Sequence, residues 1–195
     1  LVPMVAPAHV PVYNAAMGPA NLALTGELAD GWLGNAFIPE AAEVFLEPIR
    51  AGAARAGRTL AELDLVAPVA VEFWSSTAQA EDAVRRHADG YAFTIGAMGS
   101  RGSGGRNFYN DAFTRLGYGE EVTRVAGLWQ DGKRDEARAA VPVDLGRLTN
   151  LVGTADWIGE RVRSYADAGI TTLLAKLDGD FAAQLGTLER LLALR

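Results

Sequence analysis

One short stretch combines residue types that suit the binding of an anion. It runs from Asn14 to Pro19 as Asn-Ala-Ala-Met-Gly-Pro, directly after Val12-Tyr13. Val12-Tyr13 predicts the end of a strand, and Gly18-Pro19 predicts a turn into a helix, since proline at the first helical position loses no hydrogen bond. A helix start presents free backbone N–H groups, and small side chains let a ligand approach them. The stretch predicts a phosphate-type anion site, with an ordinary strand-to-helix turn as the alternative.

Other polar residues offer less specific chemistry. Glu72 ends an apolar run, and we interpret it either as a proton donor in a partly desolvated pocket or as a partner of an arginine. Arg101 and Arg106 flank a glycine-rich run and either bind a negative group or lie in solvent. We assign no chemistry to His87, which we expect on a charged, solvated helix face, or to His9 in the N-terminal arm.

Two short motifs have an ordinary structural explanation. Val152-Gly-Thr154 either binds an anion or only provides a helix cap at Thr154. Asp178-Gly-Asp180 resembles part of an acidic metal loop, but it lacks the remaining oxygen ligands and predicts a turn followed by a cap. Because the chain has no cysteine and two histidines, we expect no metal site.

The composition narrows the class of partner. The 195 residues include 18 basic and 24 acidic side chains, and the net charge of −6 argues against binding to nucleic acid. No apolar run reaches the length of a membrane helix, and the first residues lack the features of a signal peptide. We therefore expect a cytoplasmic protein with a charged small molecule as its partner, and no membrane or nucleic-acid partner.

The pattern along the chain predicts strands and helices in alternation. A second strand is expected near Trp32 and a third over residues 65–74, with secure pairing only from Val69 because Pro68 cannot donate to a ladder. A fourth strand is expected over residues 170–175. Helical patterns occupy residues 39–57, 78–98, 107–116, 120–131, 134–141, 155–168 and 180–194.

This order predicts an α/β fold with a parallel sheet of about four strands and helical crossovers. A doubly wound sheet and half of a (β/α)₈ barrel both fit, since a complete barrel needs about 250 residues. We expect one domain over residues 1–195. Within it, residues 99–150 form a glycine-rich loop and a helical insertion.

Several motifs resemble those of a known family. Val12-Tyr-Asn-Ala-Ala-Met-Gly-Pro19 and Gly26-Glu-Leu-Ala-Asp-Gly-Trp32 resemble the fifth and sixth βα units of the bacterial luciferase-like family, whose members are flavin- or deazaflavin-dependent oxidoreductases. Asn107-Phe-Tyr-Asn-Asp111 resembles the insertion of the branch that uses the deazaflavin coenzyme F420. Tyr165-Ala-Asp-Ala-Gly-Ile-Thr-Thr-Leu173 is similar to the approach to the family's last strand.

The resemblance implies the C-terminal half of a (β/α)₈ TIM-barrel enzyme that transfers hydride between coenzyme F420 and an organic substrate. It implies that the ribityl and phosphate portion of the coenzyme contacts Asn14, Ala15, Ala16, Met17, Gly18 and Pro19. It also makes Arg101 and Arg106 candidates for the acidic tail of the coenzyme. By the barrel rule, Trp32, Phe73 and Trp74 are candidate walls for the ring, although core packing is the interpretation we favour for Trp32 and Phe73.

The family's first four βα units, which carry residues that meet the substrate, have no counterpart in this sequence. The catalytic residues therefore stay unassigned. An FMN-dependent monooxygenase of the same family is one alternative, and a non-catalytic half-barrel that only binds or supports is another. Because an open sheet exposes its edges, we expect pairing with a second copy or with an N-terminal half.

Overall fold

The structure is a computed structural model that describes residues 9–98 and 107–194. Its described residues form a five-stranded parallel sheet, with the order β1-β2-β3-β4 and with β5 paired to β3. The strands are Tyr13–Asn14 (β1), Gly31–Leu33 (β2), Asp64–Phe73 (β3), Leu151–Gly153 (β4) and Thr172–Lys176 (β5). The sequence predicted four of them and missed β4, because Val152-Gly-Thr154 was interpreted only as an anion site or a helix cap.

Nine α-helices accompany the strands within the described ranges. They are Pro19–Leu28 (α1), Glu43–Arg55 (α2), Thr77–Ala97 (α3), Phe108–Phe113 (α4), Gly119–Gln130 (α5), Arg134–Ala140 (α6), Val143–Leu148 (α7), Ala155–Asp167 (α8) and Phe181–Leu192 (α9). Short 3-10 turns occupy Pro39–Ala41 and Leu60–Glu62, and a π turn occupies Thr114–Tyr118. None of the helices in this part of the chain is long and apolar enough to cross a membrane.

The central strand, β3, has partners on both edges. β5 runs beside residues 66–70, whereas β2 pairs with the first residues of β3 and β4 with the last. Pro68 lies opposite the gap between β2 and β4, where the backbone N–H of Ala70 donates to Asn150 Oδ1 over 2.9 Å. Proline removes no ladder bond at that position, so the expectation of pairing only from Val69 was wrong.

The two faces of β3 differ in their surroundings. Leu65, Ala67, Val69 and Val71 alternate along the strand and pack in the main hydrophobic core beneath the helices. The even-numbered residues face the other side, where Leu174 of the neighbouring strand β5 is 50% exposed. This is an α/β fold of the (β/α)₈-barrel type, with its parallel strands ending at one common edge.

Asp64, at the first residue of β3, joins three strands. Tyr13 Oη on β1 donates to its carboxylate over 2.8 Å, and Thr172 Oγ1 on β5 donates over 2.8 Å. Thr171 Oγ1 donates to the same carboxylate. Partial burial opposes ionisation of Asp64, but the three hydroxyl donors outweigh burial and lower its pKa.

Helices α1 and α2 pack in direct backbone contact. A methyl group added at Gly52 would overlap the backbone of Ala23, and one added at Gly26 would overlap the backbone of Ile49. Both glycines are buried. The position of α1, and with it the loop that precedes α1, therefore depends on the absence of a side chain at these two sites.

The stretch predicted as a helical insertion contains α4 to α7. Gly117 (φ 98°) and Gly132 (φ 79°) adopt the left-handed backbone that glycine favours, and they end helical pieces where the sequence predicted. Helix α7 was not predicted, because Pro142 was interpreted only as the end of the preceding helix. In the structure Pro142 is also the residue before α7 begins.

Candidate functional site

The six residues predicted to contact a coenzyme form the loop between β1 and α1. The strand ends at Asn14 and the helix begins at Pro19, as expected. Asn14 Nδ2 donates to Thr25 Oγ1 of α1 over 2.8 Å. Among the described residues no side chain caps α1. Apart from Pro19, which has no N–H, and Leu22, whose N–H donates to the Gly18 carbonyl, the N–H groups of the first turn stay available to an anion. Gly18 has an ordinary extended backbone (φ −84°), so the conformation of the loop does not require glycine there.

Two side chains from distant parts of the chain hold this loop. Trp32 Nε1 donates to the Ala16 carbonyl over 2.9 Å, and Arg115 Nη2 donates to the Met17 carbonyl over 2.6 Å. Both carbonyls therefore have fixed directions. Residues 14–20 contain no acidic side chain that would repel an anion. The donor set of this loop fits the phosphate portion of a coenzyme.

A polar cavity of about 290 Å³ lies near the carboxyl ends of β3 and β5. One wall is α3, which contributes His87, Gly90, Tyr91 and Thr94. These residues recur at the three- and four-residue spacing of one helix face. The other walls come from the strands, from the loops after β2 and β5, and from the residue before β4, and they include Asn35, Ala70, Glu72, Asn150, Lys176 and Asp178.

Glu72 receives hydrogen bonds from two basic side chains at this cavity. His87 Nε2 lies 2.6 Å from Glu72 Oε1, and Arg86 Nη2 lies 3.1 Å from Glu72 Oε2. Glu72 is thus a partner of an arginine, as one interpretation of the sequence held, and also of a histidine. The prediction that His87 lies on a solvated face was wrong, because its ring is half-buried against Glu72.

Tyr91 and Asn150 supply neutral hydrogen-bonding groups. Burial raises the pKa of Tyr91 to about 12, so its hydroxyl stays protonated and donates to Thr149 Oγ1 over 2.9 Å. Asn150 Nδ2 donates to the Gly146 carbonyl over 3.0 Å, while its Oδ1 accepts from Ala70. The amide is therefore held at both ends, and it orients this part of the cavity wall.

The predicted aromatic residues lie elsewhere. Trp32 is completely buried with its ring against Phe37 and Phe45, so core packing, the favoured interpretation, is confirmed. Phe73 packs against the same core, with the Arg190 guanidinium 4.1 Å from its ring centroid. Trp74 packs with a small separate cluster. None of the three candidate wall residues lines the cavity. Trp32 and Phe73 are on the side of the sheet that faces the helices, and Trp74 belongs to the separate cluster.

The remaining candidates have structural roles or fall outside the described ranges. Thr154 caps α8 by accepting from the Trp157 N–H, and Asp180 Oδ1 caps α9. His9 Nε2 is 2.9 Å from Asp30 Oδ1 on an exposed surface. Arg101 and Arg106 lie outside the described residues, so their predicted contact with the acidic tail has no structural counterpart here.

Sequence reasoning missed several residues that line the cavity or hold the loop. His87, Tyr91 and Thr94 repeat at helical spacing, and that polar stripe was a signal that could have been used. Arg115 had no such signal. It lies 98 positions from Met17, and nothing local to either residue predicts their contact.

Comparison with known proteins adds independent findings. The sequence model of the family described as luciferase-like monooxygenase matches residues 1–172. A Mycobacterium tuberculosis protein provisionally named a coenzyme F420-dependent oxidoreductase is 30% identical over 169 residues, which cover 86% of this chain and 47% of that protein. The 5,10-methylenetetrahydromethanopterin reductase of Methanolobus tindarius is 28% identical over 178 residues, 85% of this chain and 48% of that protein.

A solved structure resembles the whole described fold. The coenzyme F420-dependent tetrahydromethanopterin reductase of Methanopyrus kandleri superposes with a TM-score of 0.68 and 26% identity. The match covers 95% of this chain and 51% of that structure. The chain thus spans about half the length of the proteins that it matches.

Proposed function

Because the chain belongs to the luciferase-like monooxygenase family, we propose that it is the C-terminal half of a coenzyme F420-dependent oxidoreductase. The relatives named above are F420-dependent oxidoreductases or methylenetetrahydromethanopterin reductases. An FMN-dependent monooxygenase of the same family is the alternative. The substrate of this protein is an organic molecule that accepts or donates hydride.

The loop before α1 is the observation that supports this proposal most directly. Its uncapped helix start and small side chains suit the ribityl and phosphate portion of the coenzyme, held by Asn14, Ala15, Ala16, Met17, Gly18 and Pro19. When bound, the coenzyme supplies the hydride chemistry. The chain itself contributes binding and orientation, through a loop whose carbonyls Trp32 and Arg115 hold in place.

We further propose that the polar cavity receives the substrate. It lies at the edge where parallel strands end, which is where barrel enzymes place their active sites. Glu72 and His87 there form a pair that can hold a proton next to a bound molecule. Gly90, one turn after His87 on α3, leaves open space, because a Cβ added there meets no atom within 4 Å.

The uncovered surfaces support a proposal about assembly. Leu174 is 50% exposed on β5, and Leu28 on α1 and Phe181 on α9 are 74% and 79% exposed. Helices α1 and α9 follow the first and the last of the described strands, β1 and β5. We propose that four further βα units, in an N-terminal half, cover these apolar residues and close the barrel, since barrel closure removes sheet edges.

Titration of the chain with coenzyme F420, followed by the fluorescence of the coenzyme, tests the proposed activity. We expect saturable binding of F420 and weaker binding of FMN. Tight binding of FMN without a response to F420 would favour the monooxygenase alternative. A non-catalytic half-barrel would be favoured if this chain binds neither compound and if the chain combined with an N-terminal half also binds neither.

Sedimentation velocity tests the assembly separately. We expect the chain to self-associate when alone and to form a one-to-one complex with an N-terminal half. A stable monomer that does not combine with the other half would contradict the proposal.

A further inference from the structure

Arg115 connects three separate segments through one guanidinium group. Its Nη2 donates to the Met17 carbonyl over 2.6 Å, and its Nη1 donates to the Val44 carbonyl of α2 over 3.0 Å. Its Nε donates to the Asp111 carbonyl of α4 over 3.3 Å. The guanidinium carbon also lies 5.9 Å from the centre of the Phe45 ring. The loop before α1, helix α2 and the insertion are therefore joined at one point.

A second contact joins the insertion to the same loop. A methyl group added at Gly18 would lie 3.5 Å from Cδ1 of Phe108, the first residue of α4, so this ring borders the loop. Phe108 is nevertheless 48% exposed. The insertion thus contacts the predicted coenzyme loop through Phe108 of α4 and through Arg115 in the π turn that follows α4.

We infer that Arg115 is a positioning residue for the coenzyme, which fixes the loop at residues 14–19 from the insertion. The inference rests on the proposed function. Because the guanidinium holds the Met17 carbonyl, the planar peptide group between Met17 and Gly18 has a fixed orientation, and so does the Gly18 N–H just before the start of α1. The guanidinium also places a permanent positive charge beside a loop without acidic side chains, which favours a phosphate there.

The planar fork of arginine is needed for this arrangement. Three carbonyl groups from different directions accept from separate N–H groups, whereas a lysine ammonium is a single point charge. Lysine should therefore retain the charge but lose part of the fixation. This separates the electrostatic effect of Arg115 from its effect on the loop.

The variants Arg115→Met and Arg115→Lys test the inference, with Arg124→Met as a control that removes an exposed arginine of α5. Each variant is titrated with coenzyme F420 and with the same deazaflavin chromophore that lacks the phosphate and the tail. Hydrogen exchange of the backbone amides of residues 16–21 is measured without any ligand.

We expect Arg115→Met to weaken F420 binding about tenfold or more while binding of the phosphate-free chromophore is unchanged. The F420 affinity of Arg115→Lys should lie between those of Arg115→Met and the unmodified chain. The Arg124→Met control should bind F420 as the unmodified chain does. Amide exchange in the loop should be faster in Arg115→Met, partly restored in Arg115→Lys and unchanged in the control.

Unchanged exchange and unchanged F420 affinity in Arg115→Met would overturn the inference. Equal loss of affinity for both compounds would also overturn it, since that result indicates a general structural defect. If the unmodified chain binds no deazaflavin, the proposed function fails, and the exchange rates alone then support or overturn the role of Arg115 in fixing the loop.

Discussion

His87 and Glu72 form a hydrogen-bonded pair at the wall of the cavity, with Nε2 of the histidine 2.6 Å from Oε1 of the glutamate. The two side chains are only 22% and 15% exposed, whereas Arg86, the other partner of Glu72, is 60% exposed. Arg86 thus borders the pair on the solvent side. The pair joins the end of β3 to the middle of α3, two elements that also line the proposed substrate site.

Replacing Glu72 by glutamine should lower the free energy of unfolding by about 1–2 kcal/mol, because partly buried hydrogen bonds to a charged group are lost. Urea unfolding at pH 7 measures this loss. Glu81→Gln is the matched control, since Glu81 pairs with Arg147 but is 47% exposed, and its loss should stay below about 0.5 kcal/mol. If both variants lose the same free energy of unfolding, the partial burial of Glu72 does not strengthen its hydrogen bonds.

Replacing Gly90 by leucine should fill the cavity without removing a polar group. A Cβ added at Gly90 meets no atom within 4 Å, so the helix should accept the change and gain up to about 1 kcal/mol of stability. Turnover with F420 should fall, while binding of the coenzyme should not change. Unaltered turnover in a stable variant would place the substrate outside this cavity.

Asp64 should make folding sensitive to acid. Burial opposes its ionisation, but hydroxyl donors outweigh burial and lower its pKa in the folded protein below the value of about 3.9 expected in the unfolded chain. The stabilisation is complete above the unfolded value and is lost as the pH falls through the folded one. Asp64→Asn should therefore cost about 1 kcal/mol at pH 7, because water partly screens the group.

The measurement for Asp64 is a series of urea unfolding curves from about pH 7 to about pH 2, below both pKa values. The difference between Asp64→Asn and the unmodified chain should shrink toward the acid end. Asp82→Asn, on the exposed face of α3, is the control and should give a smaller difference at pH 7. If Asp64→Asn lowers the free energy of unfolding by the same amount at every pH, the ionisation of Asp64 is not coupled to folding.

Replacing Gly52 by alanine should destabilise the protein by about 2 kcal/mol or more, because the added methyl overlaps the backbone of Ala23 and forces α1 away from α2. The same change at Gly127 is the control. That residue lies in α5 with open space around it, so alanine should stabilise the helix by up to about 1 kcal/mol. Thermal unfolding measures both variants, and the melting temperature should fall for Gly52→Ala and rise for Gly127→Ala.

Local sequence chemistry predicted much of the fold. The turn at Gly18-Pro19, the cap at Thr154 and the helix ends at Gly117 and Gly132 all lie where expected, because each depends on a residue's own backbone preference. Strand β4 and the pairing across Pro68 were missed. Both depend on which strand lies beside β3 at each position, and no residue carries that information alone.

The candidate site was likewise predicted only in part. The loop from Asn14 to Pro19 was predicted as a strand-to-helix turn, and its coenzyme contacts stay a prediction, as do the single domain and the cytoplasmic location. The resemblance to the luciferase-like family is confirmed by the family match and by the F420-dependent relatives. Trp32 lies in the core because it is on the side of its strand that the helices cover, and His87 lies at the cavity because it is on the face of α3 that lines the cavity. The sequence shows which residues share a face, but it does not show what that face contacts.

The sequence by itself determined the local elements and the family, since turns, caps and motif residues act over a few positions. Only the tertiary structure decided which groups meet. Asp64 reaches Tyr13, and Arg115 reaches Met17 across 98 positions, because the packing of helices on a parallel sheet brings distant backbones together. Such contacts depend on the three-dimensional path of the whole chain, and the pattern of any one segment does not contain them.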